Sequence, residues 1–99
     1  MTNEEKSVLM SQMAQNLPIL RAKLSLTQVD LAERIGVSRH TLMAIENKQR
    51  QMSWPTFLSL MLFFSKNSGT NQLLGVLGIE TEELNEYLEV ERYGIQKTR

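Results

Sequence analysis

The sequence of 99 residues contains no cysteine, only two prolines and five glycines. The absence of cysteine excludes disulfides, thiolate metal ligands and cysteine nucleophiles, and it fits a reducing compartment. The longest apolar run, residues 57–64, is interrupted by Ser59 and is far shorter than the roughly 20 residues that a membrane-spanning helix needs. The opening residues include acids and lack a long apolar stretch, so we expect no signal peptide. The length predicts a single domain.

The formal net charge is zero, but the charges are unevenly distributed along the chain. Residues 21–50 carry six basic against three acidic side chains, whereas residues 70–99 carry six glutamates against three basic side chains. A basic middle beside an acidic end is the asymmetry expected where one face of a protein meets phosphate. Ordinary scatter of surface charge is the alternative, and a surplus of three leaves it open.

The residue types that build catalytic and metal sites are scarce. The chain has one histidine and no cysteine, and its carboxylates form no cluster with an orienting partner. We therefore expect no enzyme activity, no cofactor and no metal site. The glutamates at positions 82, 83, 86 and 89 are typical of a solvated face near a helix N-terminus, where negative charge is favourable.

The apolar spacing predicts an all-α fold, because no stretch alternates with period two. A first helix is expected over residues 3–15. Pro18 lacks an N–H and restricts the residue before it, which predicts a break and a second helix from about Asn16 to about Lys23. Further helices are expected over residues 28–34, from Ser38 to about Glu46, from Ser53 to Phe64, around residues 71–77, and from Thr81 onward.

Residues 28–45 fit two short helices that are joined by a tight turn and cross over a shared core. The turn needs a positive φ between the helices, and Gly36 adopts it without steric cost. Ala32 is small where the two helices must cross closely. The other core positions are apolar and either share a helix face or plug the turn: Leu31, Ile35, Val37, Leu42 and Ile45.

The segment from Leu26 to Asn47 resembles the helix-turn-helix of the Cro/CI-type repressors, the XRE-like family of bacterial and phage DNA-binding proteins. Two departures from the family pattern fall in the loop that follows, where Lys48 replaces the usual glycine and Met52 the usual proline. The similarity covers roughly residues 16–65. The family pattern is matched at Leu20-Arg21, Leu26-Thr27-Gln28, Leu31-Ala32, Gly36-Val37-Ser38 and Ile45-Glu46.

The resemblance implies a compact lambda-repressor-like helical bundle with extra helices at both ends. We expect the helix-turn-helix DNA-binding domain over residues 16–69. An N-terminal helical extension over residues 1–15 and a C-terminal helical extension over residues 70–99, for packing or dimerisation, complete one compact unit.

The second helix of the motif is the predicted reading helix. With Leu42 and Ile45 turned inward, its opposite face can enter a major groove of double-stranded DNA. An arginine can hold guanine O6 and N7 together, and a histidine can donate to a base or a phosphate. A solvated surface is the alternative for this face. The predicted base-reading residues are Arg39, His40, Met43, Ala44 and Asn47.

Phosphate contacts are expected beside the reading face, because a capped helix start and exposed basic side chains favour anions. The predicted phosphate contacts are Gln28, Ser38, Thr41, Lys48 and Arg50, and the resemblance implies the same roles. The resemblance also implies an internal ion pair between Arg21 and Glu46 that braces the first helix against the reading helix.

The helix that begins at Ser53 is apolar nearly all round, whereas a surface helix needs one apolar face. Leu62 and Phe63 therefore need a cover, from the flanking helices or from a second subunit. We expect a homodimer built from the flanks and this helix. The last helix offers a further apolar ridge, formed by Leu84, Tyr87 and Leu88.

Together with the resemblance, these features predict a sequence-specific transcription regulator that represses by occupying an operator in the cytoplasm, at the nucleoid. The 30 residues after Gly69 leave no room for a separate sensor domain, so we expect no small-molecule ligand. The alternative is the antitoxin of a toxin–antitoxin pair, which neutralises a partner protein and autoregulates its operon. A tail beyond Glu80 that folds only against a partner would favour that alternative.

Overall fold

The computed structural model describes residues 1–90. Helices and no strands occur in this part of the chain, which confirms the predicted all-α class. The helical segments are α1 (Asn3–Lys23), α2 (Gln28–Ile35), α3 (Arg39–Glu46), α4 (Trp54–Ser65), α5 (Ser68–Asn71), α6 (Leu73–Val76) and α7 (Glu82–Leu88).

The break predicted at Pro18 is wrong, because α1 continues through it as one helix of 21 residues. A proline in a helix interior removes one hydrogen bond and costs about 3 kcal/mol. Pro18 lies on the exposed face of α1, and the opposite face buries Met13, Leu17 and Leu20 completely. Burying three such side chains contributes about 1.5–3 kcal/mol each, so packing outweighs the local preference for a break.

The short helix predicted around residues 71–77 is instead two single turns, α5 and α6. Glycines at positions 69 and 75 lower the helix propensity of this stretch, and single turns need tertiary support to form. Thr70 gives that support, since its buried hydroxyl donates to the Phe64 carbonyl at 2.7 Å. α5 is thereby fixed to the end of α4.

Hydroxyl side chains begin the longer helices, as the sequence pattern predicts for those after α1. In each case the hydroxyl oxygen accepts the N–H of the third helical residue. At the start of α1 the Glu5 carboxylate also accepts the N–H of Thr2, the cap residue. Hydrogen bonds from the backbone N–H and the hydroxyl of Thr2 lower the pKa of Glu5. The cap residues are Thr2, Thr27, Ser38, Ser53 and Thr81.

One apolar core joins all parts of the described chain. The C-terminal segments contribute Leu74, Ile79 and Leu84, each fully buried, to the same cluster as the inner faces of α1 to α4. The division into a domain over residues 16–69 and two extensions stays a prediction, and α1 crosses its first boundary unbroken. Within residues 1–90, none of the helices combines the length and the apolar character that crossing a membrane requires.

The last helix, α7, is attached to both α1 and α4 through aromatic contacts. The Tyr87 ring meets the Trp54 ring edge-on, with centroids 6.5 Å apart. The Lys6 ammonium lies 5.1 Å from both ring centroids, within the range of a cation–π interaction. The N-terminal and C-terminal flanks therefore pack on each other as well as on the central helices.

Candidate nucleic-acid interface

A tight turn of three residues connects α2 to α3. Gly36 ends α2 with a φ of +79°, and the N–H groups of Gly36 and Val37 both donate to the Ala32 carbonyl, at 3.0 and 3.1 Å. A Cβ added at Gly36 would meet no atom within 4 Å. The left-handed backbone conformation is therefore the reason for glycine here, as the sequence pattern predicts.

The inner faces of α2 and α3 fix the orientation of the reading helix. Leu31 and Leu42 are fully buried, and Ala32 and Ile45 are nearly so. Ile35 and Val37 are partly buried and pack against the same cluster. Because both ends of the inner face of α3 are anchored in this way, its outer face is determined by helix geometry alone.

An ion pair connects the last turn of α1 to the last turn of α3. Arg21 donates from Nε to Glu46 Oε2 at 2.8 Å and from Nη2 to Glu46 Oε1 at 2.9 Å. The third guanidinium nitrogen, Nη1, donates to the Leu26 carbonyl at 3.1 Å. The Glu46 side chain is only 5% exposed, so the paired arginine compensates most of its charge. This is the brace that the resemblance implies.

The same carboxylate also holds Gln28. Gln28 Nε2 donates to Glu46 Oε1 at 3.1 Å, so one amide hydrogen of this predicted phosphate contact is already used. The amide carries a second N–H, which remains available to an acceptor outside the protein. Glu46 thus aligns the first residue of α2 with the reading helix.

The outer face of α3 carries the predicted base-reading residues. The side chains of Arg39, His40 and Asn47 are exposed, and those of Met43 and Ala44 are half-buried. The structure therefore places all five on the side of α3 opposite its buried residues. Three polar side chains frame two apolar ones, which is a mixture that can serve both hydrogen-bonding base edges and thymine methyl groups.

The start of α3 carries two of the predicted phosphate contacts. The Ser38 hydroxyl oxygen accepts the Thr41 N–H at 3.0 Å, and the same hydroxyl donates to Thr41 Oγ1 at 2.9 Å. The Thr41 hydroxyl hydrogen stays available for an external acceptor, and so do the N–H groups of the first two helical residues. A helix start with these donors and no acidic side chain favours an anion.

The start of α2 lies beside a concavity of about 410 Å³ that Arg39 shares. Gln28 and Arg21 line it as well, so the structure brings a predicted phosphate contact and a predicted base reader together. Val29 also lines this concavity and is 54% exposed, although no sequence pattern indicated it as a DNA contact. The one indication in the sequence that Val29 lies near this site was its position in the first turn of a capped helix.

The remaining phosphate contacts lie at the other end of α3. Lys48 has a φ of +61°, its N–H donates to the Ile45 carbonyl at 3.1 Å, and the Gln49 N–H donates to the Ala44 carbonyl at 2.9 Å. These two hydrogen bonds form a Schellman motif, whose left-handed residue is usually glycine and here is Lys48. Lys48 and Arg50 are exposed, whereas Met52 is buried. The predicted phosphate contacts are thus divided between the two ends of an eight-residue helix, which is about 12 Å long.

The fold and this geometry define a helix-turn-helix protein. Residues 19–58 match a protein-family model described as helix-turn-helix, and this segment belongs to the Cro/CI-type (XRE-like) family of DNA-binding regulators. No curated protein and no solved structure matches the chain. Residues 1–18 and 59–99 lie outside the matched range.

Proposed function

We propose that the protein is a transcription regulator that binds a specific site on double-stranded DNA and represses by occupying it. The observation that carries this proposal is the outer face of α3, where exposed Arg39, His40 and Asn47 stand opposite a fully anchored inner face. A rigid helix with a polar outer face fits the width of the major groove.

Each base-reading residue has a role that its chemistry suggests. Arg39 donates to guanine O6 and N7, Asn47 bonds an adenine edge, and His40 donates to a base or a phosphate. Met43 and Ala44 pack against thymine methyl groups. Arg39 lies at the first position of α3 and Asn47 just beyond its last, so the five residues read neighbouring base pairs in one groove.

The phosphate contacts orient the protein on the duplex. Gln28, Ser38 and Thr41 lie at the start of α2 or α3, and Lys48 and Arg50 lie beyond the end of α3. Contacts at both ends of a reading helix fix its register along the backbone, while the bases determine sequence preference.

A homodimer is the proposed binding unit. Leu62 on α4 is 61% exposed, and α7 packs on Trp54 at the opposite end of that helix. A second subunit that covers Leu62 would remove this apolar side chain from water. Two-fold symmetry would then place the two reading helices about 34 Å apart, one turn of DNA.

An antitoxin is the second candidate function. Whether the chain beyond Glu80 folds without a partner distinguishes it from the transcription regulator. Chain beyond Glu80 that folds only against a partner was the feature expected of an antitoxin. The segment after Glu80 forms α7, with Thr81 as its cap and Leu84 fully buried in the common core. This favours the regulator over the antitoxin for the tail up to residue 90. We further propose that the protein acts in the cytoplasm at the nucleoid and has no enzymatic activity.

Footprinting on the DNA upstream of its own gene, at two salt concentrations, tests the proposed function. We expect a protected site with two-fold symmetry, whose affinity falls steeply as salt rises because several phosphates are neutralised. Protection that is independent of sequence would contradict the specific regulator.

Light scattering tests the dimer separately. The wild-type protein should have the mass of two chains at micromolar concentration, and Leu62→Glu should have the mass of one. Val29→Glu makes a matching apolar-to-acidic exchange at an exposed side chain of α2, outside α4 and the flanks, and is the control for an added surface charge. A wild-type monomer, both with and without DNA, would contradict the homodimer.

A further inference from the structure

A groove of about 630 Å³ runs between the N-terminal half of α1 and the loop that follows α3. Its volume lies within the range of small-molecule sites in proteins, about 300–1,000 Å³. The Gln51 amide donates to the Ser7 hydroxyl at 3.2 Å and so fastens the loop to α1 across the groove. The loop is therefore held at a defined distance from α1.

The floor of the groove is apolar. Met10, Ile45 and Met52 line it, and each belongs to the buried core. Ala14, one turn after Met10 on α1, leaves space above this floor because its side chain is a single methyl group. An apolar body of a few carbon atoms can make van der Waals contacts with the parts of these side chains that line the groove.

The rim of the groove is basic. Lys48 and Arg50 line it on the loop side, and the hydroxyls of Ser7 and Ser11 line it on the α1 side. No aspartate or glutamate is among the lining residues in the described part of the chain. A negatively charged head group therefore meets two cations and hydroxyl donors, and no acidic side chain repels it.

Two residues of the loop, Lys48 and Met52, contribute to different parts of the groove. One supplies a cation to the rim and the other a flexible apolar side chain to the floor. Lys48 and Arg50 are also the two basic residues among the predicted phosphate contacts, so an anion in the groove would compete with DNA for them.

We propose that this groove binds a small amphipathic carboxylate and that the bound carboxylate weakens DNA binding. The carboxylate head pairs with Lys48 and Arg50, and the apolar body lies on Met10 and Met52. The expectation of no small-molecule ligand rested on the lack of a separate sensor domain, whereas this groove lies within the DNA-binding fold. The effect on DNA rests on the proposed function, and the binding site does not.

Octanoate is the probe for the binding site, and methionine methyl groups are the reporters. The full chain, labelled with ¹³C at its methionine methyl groups, is titrated with octanoate and observed by NMR. Met10 and Met52 should shift and saturate. Met13, Met43 and Met61 do not line the groove, and their signals should stay in place. Absence of saturable shifts at Met10 and Met52 would overturn the site, and so would equal shifts at the other three.

Two further probes test the chemical class. Octylamine has the same apolar body with a positive head, and acetate has the same head without the body. Both should leave Met10 and Met52 nearly unchanged at the octanoate concentration that saturates the shifts. An equal response to octylamine would overturn the role of the basic rim, and an equal response to acetate would overturn the role of the apolar floor.

Matched variants connect the response to the named residues. Lys48→Gln and Arg50→Gln should each raise the octanoate Kd about two- to fivefold, the effect of removing one exposed charge pair. Lys66→Gln changes an exposed lysine at the end of α4 and should leave the Kd unchanged. Ser11→Phe places a ring over the groove from an exposed position and should abolish the octanoate shifts while the protein stays folded. Unchanged Kd values in the first two variants, or unchanged shifts in Ser11→Phe, would overturn the assignment.

The regulatory part is tested on DNA at constant ionic strength. Octanoate should weaken the binding of the wild-type protein to its site at least about threefold, because two exposed charge contacts are lost. Acetate should not, and Ser11→Phe should not respond to octanoate. DNA binding that is unchanged at saturating octanoate would overturn regulation. A protein that binds no DNA without octanoate would contradict the proposed function, and the methyl shifts would still decide the site.

Discussion

The two helices of the motif, α2 and α3, have equal length but are capped differently. Each has eight residues, begins at a hydroxyl side chain and is followed, within two residues of its end, by a residue with a positive φ. At the start of α2 the third helical residue is Asp30, whereas at the start of α3 it is Thr41. The left-handed residue after α2 is Gly36, and the one after α3 is Lys48.

The difference in capping favours the stability of α2, and at α3 it fits the phosphate contacts that we propose. Asp30 accepts the Thr27 N–H and completes a reciprocal cap, and glycine closes the other end of α2 without strain. α3 has neither advantage, and a left-handed non-glycine residue costs about 1–2 kcal/mol. An acid near the start of α3 would repel phosphate, and a lysine beyond its end attracts it. The capping of α3 fits a helix that faces DNA.

The largest expected effect is on stability, and it comes from the buried inner faces of α2 and α3, where the two helices should behave alike. Leu31→Ala and Leu42→Ala each remove a fully buried side chain and should lower the free energy of unfolding by about 2–5 kcal/mol. Urea denaturation followed by circular dichroism measures both. If Leu42→Ala altered DNA preference while leaving stability intact, the facing of α3 would be wrong.

The next largest effect is on DNA binding, and it comes from the exposed outer faces of α3 and α2. Arg39→Ala should cost about 1–3 kcal/mol of binding on the cognate site and little on random DNA, because a base contact is lost. Arg34→Ala removes an exposed arginine of α2 and is the matched control, with a smaller expected loss. Fluorescence anisotropy on both kinds of DNA measures the ratio. Equal losses on cognate and random DNA would remove Arg39 from the base-reading residues.

Exchanging the residues with positive φ should have opposite effects at the two ends. Gly36→Ala should lower the free energy of unfolding by about 1–2 kcal/mol, because the backbone conformation is strained for alanine while the space is open. Lys48→Gly should raise it by about 1 kcal/mol at most, because the relief of left-handed strain is partly offset by the greater freedom of the unfolded chain.

The same Lys48→Gly variant should lower the salt slope of DNA binding by about one, because one phosphate contact is lost. Lys66→Gly lies outside the interface, and its salt slope should equal that of the wild-type protein. If Lys48→Gly left the slope unchanged, Lys48 would not be a phosphate contact.

An acidic residue at the third position of α3, as in α2, should raise the stability of the protein and weaken its binding to DNA. Thr41→Asp places a carboxylate in the first turn, where it stabilises a helix by about 0.3–1 kcal/mol. The same charge should weaken binding to all DNA sequences, which gel shifts on cognate and random duplexes measure. Asp30→Thr is the reciprocal variant and should lower stability with little effect on DNA. Improved DNA binding by Thr41→Asp would contradict the position of phosphate at this helix start.

The smallest effect is the pH dependence of the two helix starts. Hydrogen bonds from the hydroxyl and the N–H of Thr27 lower the pKa of Asp30 from its ordinary 3.8. A lowered carboxyl pKa contributes stability that is present above 3.8 and is lost as the pH falls through the folded-state value. Asp30→Asn should therefore lose less stability than the wild-type protein on acidification, as thermal melts at successive pH values would show. Parallel pH profiles would remove this contribution from α2.

The parts of the fold that the sequence predicted correctly depend on local signals. Thr27, Gly36 and Ser38 mark the ends of α2 and α3 because caps and left-handed turns act within a few residues. The orientation of α3 follows from the apolar spacing of Leu42 and Ile45. The roles of the base-reading and phosphate residues stay predictions.

The parts that the sequence did not predict depend on distant contacts. Pro18 remains within α1 because side chains from other elements bury its opposite face. The bond from Gln12 to the Leu77 carbonyl joins residues 65 positions apart, and the bond from Gln51 to Ser7 joins residues 44 apart. No periodicity reports such pairs, so the packing of the flanks and the groove beside the loop appear only in three dimensions.

The continuity of α1 has a mechanical consequence. Arg21, which grips the reading helix through Glu46, and Lys6, which contacts α7, are parts of one rigid rod. The 15 residue steps from Lys6 to Arg21 span about 22 Å of helix axis. A tilt of about 3° around the Lys6 end would move the Arg21 end by about 1 Å, given the helical rise per residue. A small tilt of α1 about its Lys6 end would therefore displace its contact with the reading helix by a distance that grows with the length of the helix.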